Sequence, residues 1–119
     1  MDRKARSRQY KETPRAAGVY VVRNTTSGKL LVGASPDLAG MLNRQRFQLE
    51  NGAHPDRTLQ QDWNELGPAA FAFEVLDELK PSSEPGYVPT GDLRVLKHLW
   101  LERLIASKAE LYPFSKRGT

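Results

Sequence analysis

Hydrophobic and polar positions along this chain follow two periods in turn. Period two governs three short runs. Residues 18–23 read as a strand through the β-branched and aromatic run Val19-Tyr20-Val21-Val22, and residues 29–33 read as a second. Between them Asn24-Thr25-Thr26-Ser27-Gly28 is dense in turn formers, so the two strands are predicted to pair as an antiparallel hairpin. Residues 71–76, with Phe71, Phe73 and Val75 on alternate positions, predict a third strand.

A helical period fills the rest. Residues 38–50 put Leu38, Leu42 and Leu49 on one stripe, start after Ser35 or Asp37 as a cap, and stop at Asn51-Gly52. A shorter helix from 55 or 56 to 66 turns Leu59, Trp63 and Leu66 toward a core and ends at Gly67-Pro68. The longest helix is predicted over 92–108, with Leu93, Leu96, Trp100 and Leu104 on one face and Val95, Leu99 and Leu101 widening it. Residues 80–91 hold three prolines, two glycines and two serines and read as a loop. The order β-β-α-α-β-α predicts an α+β fold: a three-stranded antiparallel sheet flanked by helices.

Composition narrows the class. A chain of 119 residues is the size of one domain. The reading divides it into a basic N-terminal arm (1–16), one domain (17–108) and a C-terminal tail (109–119). With no cysteine, neither disulfides nor thiolate metal sites are available. The first residues are charged and no run approaches the roughly 20 apolar residues of a membrane span, so a cytoplasmic protein is expected. The net charge of +4 sits in the arm: Arg3, Lys4, Arg6, Arg8, Lys11 and Arg15 face only Asp2 and Glu12, leaving twelve charges of each sign elsewhere. An arm of that kind suits a phosphate backbone, where each neutralised phosphate releases counterions.

Two tripeptides carry the most specific signal, Gly18-Val19-Tyr20 and Leu31-Val32-Gly33, followed at once by the amphipathic helix containing Arg44 and Arg46. With Gly33-Ala34-Ser35-Pro36-Asp37-Leu38, Leu49-Glu50-Asn51-Gly52-Ala53-His54 and Trp63-Asn64-Glu65-Leu66-Gly67 in the same order, residues 17–105 resemble the GIY-YIG nuclease superfamily. The resemblance implies the same sheet and helix order that the periodicity gives. It also implies divalent-metal-dependent cleavage of DNA, with RNA as the other nucleic acid open to it.

Phosphodiester hydrolysis needs an activated water, positive charge on the crowded phosphate and help for the leaving oxygen. In the family these tasks fall to a motif tyrosine, an arginine on the first helix and a metal-binding glutamate on the last. The resemblance maps Tyr20 to the tyrosine and Gly18 and Gly33 to the motif glycines. A tyrosine of pKa roughly 10 is a poor base at neutral pH and needs neighbouring cations to become effective. Leu31 replaces the second motif's tyrosine. Met41 stands where the phosphate-clamping arginine belongs, and Arg44, one turn on, is the expected substitute.

Two registers fit the last helix, one placing Lys97 and the other Glu102 at the glutamate; Glu102 is the expected ligand of one Mg2+ or Mn2+. His54 matches a histidine that accompanies the active site in some members, whereas Gln45 reads as an ordinary polar helix residue. Arg46 and the arm residues Arg3, Lys4, Arg6 and Arg8 are expected nucleic-acid contacts. The expected function is an endonuclease with a rearranged or weakened site formed by Tyr20, Arg44, His54 and Glu102. The alternative is a catalytically inactive module that binds DNA, RNA or a protein partner.

Overall fold

A computed structural model describes residues 16–80 and 86–116. The turn formers do what their chemistry predicts: Oδ1 of Asn24 accepts from the N–H groups of Thr26 and Ser27, and the chain reverses. β1 (Ala17–Asn24) and β2 (Leu30–Ser35) pair antiparallel, and β3 (Phe71–Leu79) pairs antiparallel with the other side of β1. The sheet order is β2-β1-β3, which puts β1 in the centre. This explains its unbroken apolar run, since a strand covered on both faces has no side left for polar residues.

α1 (Leu38–Glu50) and α2 (Arg57–Leu66) follow β2 and begin at aspartates. Asp37 accepts from the N–H of Gly40 and Asp56 from that of Leu59, each satisfying a free donor of a first turn. These helices enclose a core of Val22, Leu31, Leu49, Leu59, Trp63, Phe71 and Tyr112. α3 (Thr90–Ala106) covers Val19, Val21, Leu30, Val32 and Ala34 from the opposite face, through Leu93 and the half-buried Leu96, Trp100 and Leu104.

β3 runs three residues beyond the predicted 71–76 because it follows β1 through a register shift at Val19/Tyr20. The bulge inserts one residue, so Leu76 and Leu79, three apart, both pack into the α3 core. Gly18 lies against this stretch, where a Cβ would overlap the carbonyl oxygen of Asp77.

Three expectations of burial are corrected. Val95 and Leu99 of α3 are 59% and 53% exposed and Leu66 of α2 is 44% exposed, because a helix on a single sheet layer buries one narrow stripe. Residues 109–116 are no tail. Leu111 bridges in parallel to Leu30, and the Ser115 hydroxyl accepts from the N–H of Val32 and donates to the carbonyl of Leu30. The segment covers the outer edge of β2, whose ladder groups would otherwise stay open. Tyr112 is fully buried there, accepting from Nδ2 of Asn24 and donating to Asp62 at 2.6 Å.

Among the described residues, no helix is long and apolar enough to cross a membrane. The arm residues Arg3, Lys4, Arg6 and Arg8 lie outside the described residues.

Candidate active site

The two tripeptides meet because the hairpin register pairs Tyr20 with Gly33 and Val22 with Leu31. Gly33 lacks the Cβ that would collide with the Tyr20 ring and hydroxyl, so the phenol settles over the β2 backbone. A groove of about 210 Å³ opens beside it. β1 contributes Tyr20, β2 contributes residues 31–34, and α1 contributes Met41, Arg44, Gln45 and Gln48. His54 and Pro55 from the loop before α2, Lys97 of α3 and Phe114 of the C-terminal segment complete the lining.

One hydrogen-bonded chain holds the floor. His54 is 1% exposed; its Nδ1 accepts from the N–H of Asp56 at 2.9 Å and its Nε2 lies 2.5 Å from Oε1 of Gln45. Nε2 of Gln45 reaches the hydroxyl of Tyr20 at 3.4 Å. Gln60 anchors the loop from below: its Oε1 accepts from the N–H of His54 and its Nε2 donates to the carbonyl of Leu49. Asp56 ties the same loop to the C-terminal segment by accepting from the N–H of Phe114 at 2.9 Å.

Burial dominates the electrostatics. It pushes the Tyr20 phenol up to about 12, although the nearby Arg44 guanidinium pulls the other way. It also lowers the His54 pKa below the usual histidine value, against the opposing pull of the Asp56 carboxylate. Lys97, 6% exposed, is likewise shifted down by burial.

Tyr20, Arg44 and His54 are therefore brought to one groove, with Met41 and Leu31 as apolar wall where the resemblance implies a clamping arginine and a second tyrosine. Glu102 is not brought there. Its side chain is 64% exposed and pairs with His98 at 2.9 Å. Lys97 takes the wall instead, and five helical residues turn Glu102 about 140° away from it. Arg46 is also directed elsewhere, stacking 4.6 Å from the centroid of the Phe73 ring.

The donor set of the groove does not fit a divalent cation. Among the described residues its lining has no carboxylate, Lys97 and Arg44 supply positive charge, and no group of three His, Asp or Glu is placed to hold a metal. Gln45, which reads from sequence as an ordinary polar helix residue, and Asp56, which reads only as a helix start, both belong to the floor of the groove, together with Gln60. For Gln45 a signal existed: it lies four residues from Met41 and Leu49, on the stripe that turns inward.

No family model matches the chain. Over 63 residues it is 32% identical to Intron-associated endonuclease 1 of Enterobacteria phage T4, a stretch covering 53% of this chain and 25% of that protein. The chain thus matches about a quarter of its relative's length. The catalytic domain of the homing endonuclease I-TevI superposes with a TM-score of 0.63 at 24% identity, covering 81% of this chain and 95% of that one. A mutant of the same catalytic domain gives 0.63 at 23% identity, over 80% and 90%. The three-stranded antiparallel sheet, the order of its helices and these superpositions agree, and the chain has the fold of the I-TevI catalytic domain.

Proposed function

We propose that this domain acts on DNA as a GIY-YIG-type nuclease domain with a weakened hydrolytic centre, holding a backbone phosphate in the groove beside Tyr20. The observation that carries this reading is the content of the groove: among the described residues Tyr20, Arg44, His54 and Lys97 line it and no carboxylate does. Cations and neutral donors suit a phosphate, with Arg44 able to contact two oxygens at once. The named activities of the phage endonuclease and of the I-TevI catalytic domain support DNA as the substrate. The weakness follows from two features. Met41 leaves the wall without the clamping charge, and Lys97 stands where a metal-binding carboxylate would be needed.

Binding and cleavage measured together test the reading. Labelled single- and double-stranded DNA is titrated with protein at several salt concentrations, and nicking is followed with and without Mg2+. The expected result is salt-sensitive binding, reduced by Arg44→Ala and Lys97→Ala, with cleavage raised about 100-fold by Met41→Arg, the usual worth of one transition-state donor. Failure to bind at low salt sinks the reading. So does rapid cleavage that Met41→Arg fails to improve.

The buried, proton-retaining Tyr20 favours a second reading, a module that binds DNA without cutting it. Binding with no cleavage by either the wild type or Met41→Arg would establish that one.

A further inference from the structure

The hydrogen bonds on the floor of the groove have a direction, and it starts from a group that can only donate. The backbone N–H of Asp56 donates to Nδ1 of His54, so that nitrogen carries no proton. Burial keeps the ring neutral at pH 7, which places its single proton on Nε2. Nε2–H therefore donates to Oε1 of Gln45, and the amide cannot be turned over without setting its NH2 against that proton. The Gln45 nitrogen is thereby aimed at Tyr20. An amide nitrogen accepts nothing, so in this contact the Tyr20 oxygen is the acceptor and its own proton is left for another partner.

We propose that Tyr20 serves this groove as a fixed hydrogen-bond donor to a phosphate oxygen, with Arg44 as its charged companion and with Gln45 and His54 as positioning residues that set the direction of the phenol. The role rests on the reading of the groove as a site for the DNA backbone. It assigns the motif tyrosine to recognition of the anion and gives the weakened chemistry a cause. A phenol that accepts from Gln45 and is held un-ionised by burial is poorly placed to take a proton from water.

Three measurements on the full chain test this. Nitrogen-15 NMR of His54 at pH 7 should show Nδ1 unprotonated and Nε2 protonated. Tyr20→Phe should weaken binding of a short labelled DNA duplex about tenfold, the scale of a hydrogen bond to a charged group. Gln45→Glu offers the phenol an acceptor and turns its proton away from the groove. In that background Tyr20→Phe should change binding by less than about twofold, a coupling that simple loss of packing would not produce. Where the buried carboxylate prevents folding, the first two measurements decide. A protonated Nδ1, or Tyr20→Phe binding as tightly as the wild type while the wild type binds DNA, overturns the donor role alone. Absence of DNA binding by the wild type overturns the phosphodiester reading and this role with it.

Discussion

Gly33 is paired directly with Tyr20 across the hairpin, and the space where its Cβ would stand is taken by the Tyr20 ring and hydroxyl. The glycine of the second tripeptide thus exists for the tyrosine of the first. One register makes the pair, and the same register brings the phenol within reach of Gln45 on α1.

Gly33→Ala should accordingly act on Tyr20. The added methyl cannot coexist with the phenol, so the ring must rotate out or the strands must separate, an overpacking cost of about 1–3 kcal/mol. Chemical denaturation should show that loss, and DNA binding should fall at least as far as in Tyr20→Phe. Unchanged stability together with unchanged binding would mean that the phenol does not rest over Gly33.

Lys97 gives a prediction of opposite sign in metal-free and metal-containing solution. Lys97→Glu removes a cation from the groove and places a carboxylate beside Tyr20. Without divalent ions, DNA binding should weaken about tenfold or more, because charge-assisted contacts are replaced by repulsion. Mg2+ at constant ionic strength should then recover part of the loss in the variant and add nothing to the wild type. Anisotropy titrations with Mg2+ or a chelator check both halves, and a wild type that gains from Mg2+ would contradict the account of the groove.

The fold was readable from residues because its signals are local. Alternation in 18–23 and 71–76, the turn formers 24–28 and the aspartate caps each specify structure within a few positions, and the order of elements follows. Of the residues that line the groove, the resemblance pointed to Tyr20, Gly33, Arg44 and His54. Whether Lys97 or Glu102 enters the groove depends on the rotation of α3 against the sheet, which residues 90–106 leave open. Their apolar positions Val95, Leu99 and Ile105 fall outside the buried stripe and blur the wheel. Gln45, Asp56 and Gln60 are buried polar residues with partners on other segments, Gln45 with His54, Gln60 with the Leu49 carbonyl and Asp56 with the Phe114 N–H, which no single segment reveals. The C-terminal segment lacked any periodic pattern, since it is fixed by a short backbone bridge to Leu30 and by two side chains, Tyr112 and Ser115.

His54 should leave a mark on the pH dependence of stability. Its folded pKa lies below the ordinary value of 6.5, so between the two the unfolded chain binds more protons. The stabilisation associated with the neutral ring is therefore fully present above about 6.5 and is lost as pH falls through the folded pKa. Denaturation midpoints measured from pH 7.5 to 5 should drop more steeply for the wild type than for His54→Gln. Parallel slopes would show that the ring is not held neutral by its surroundings.

The cover on the β2 edge is the last point at which the structure commits itself. Ser115 is fully buried, and its hydroxyl is the partner of the Val32 N–H at 2.9 Å. Ser115→Ala leaves that donor without an acceptor in a dry place, at a cost of about 1–3 kcal/mol. The loss should be local before it is global. Residues 109–116 are held to β2 by the Leu30 contacts and this hydroxyl, so hydrogen exchange at Val32 should accelerate more than exchange at Val21 in the central strand. The same segment places Phe114 in the groove wall and its N–H on Asp56, the residue that sets the His54 tautomer. Weakening the cover should therefore also reduce DNA binding, although Ser115 itself does not line the groove. If Val32 exchange and DNA affinity both stay at wild-type values in Ser115→Ala, the segment is a passive cover and the link through Asp56 does not operate.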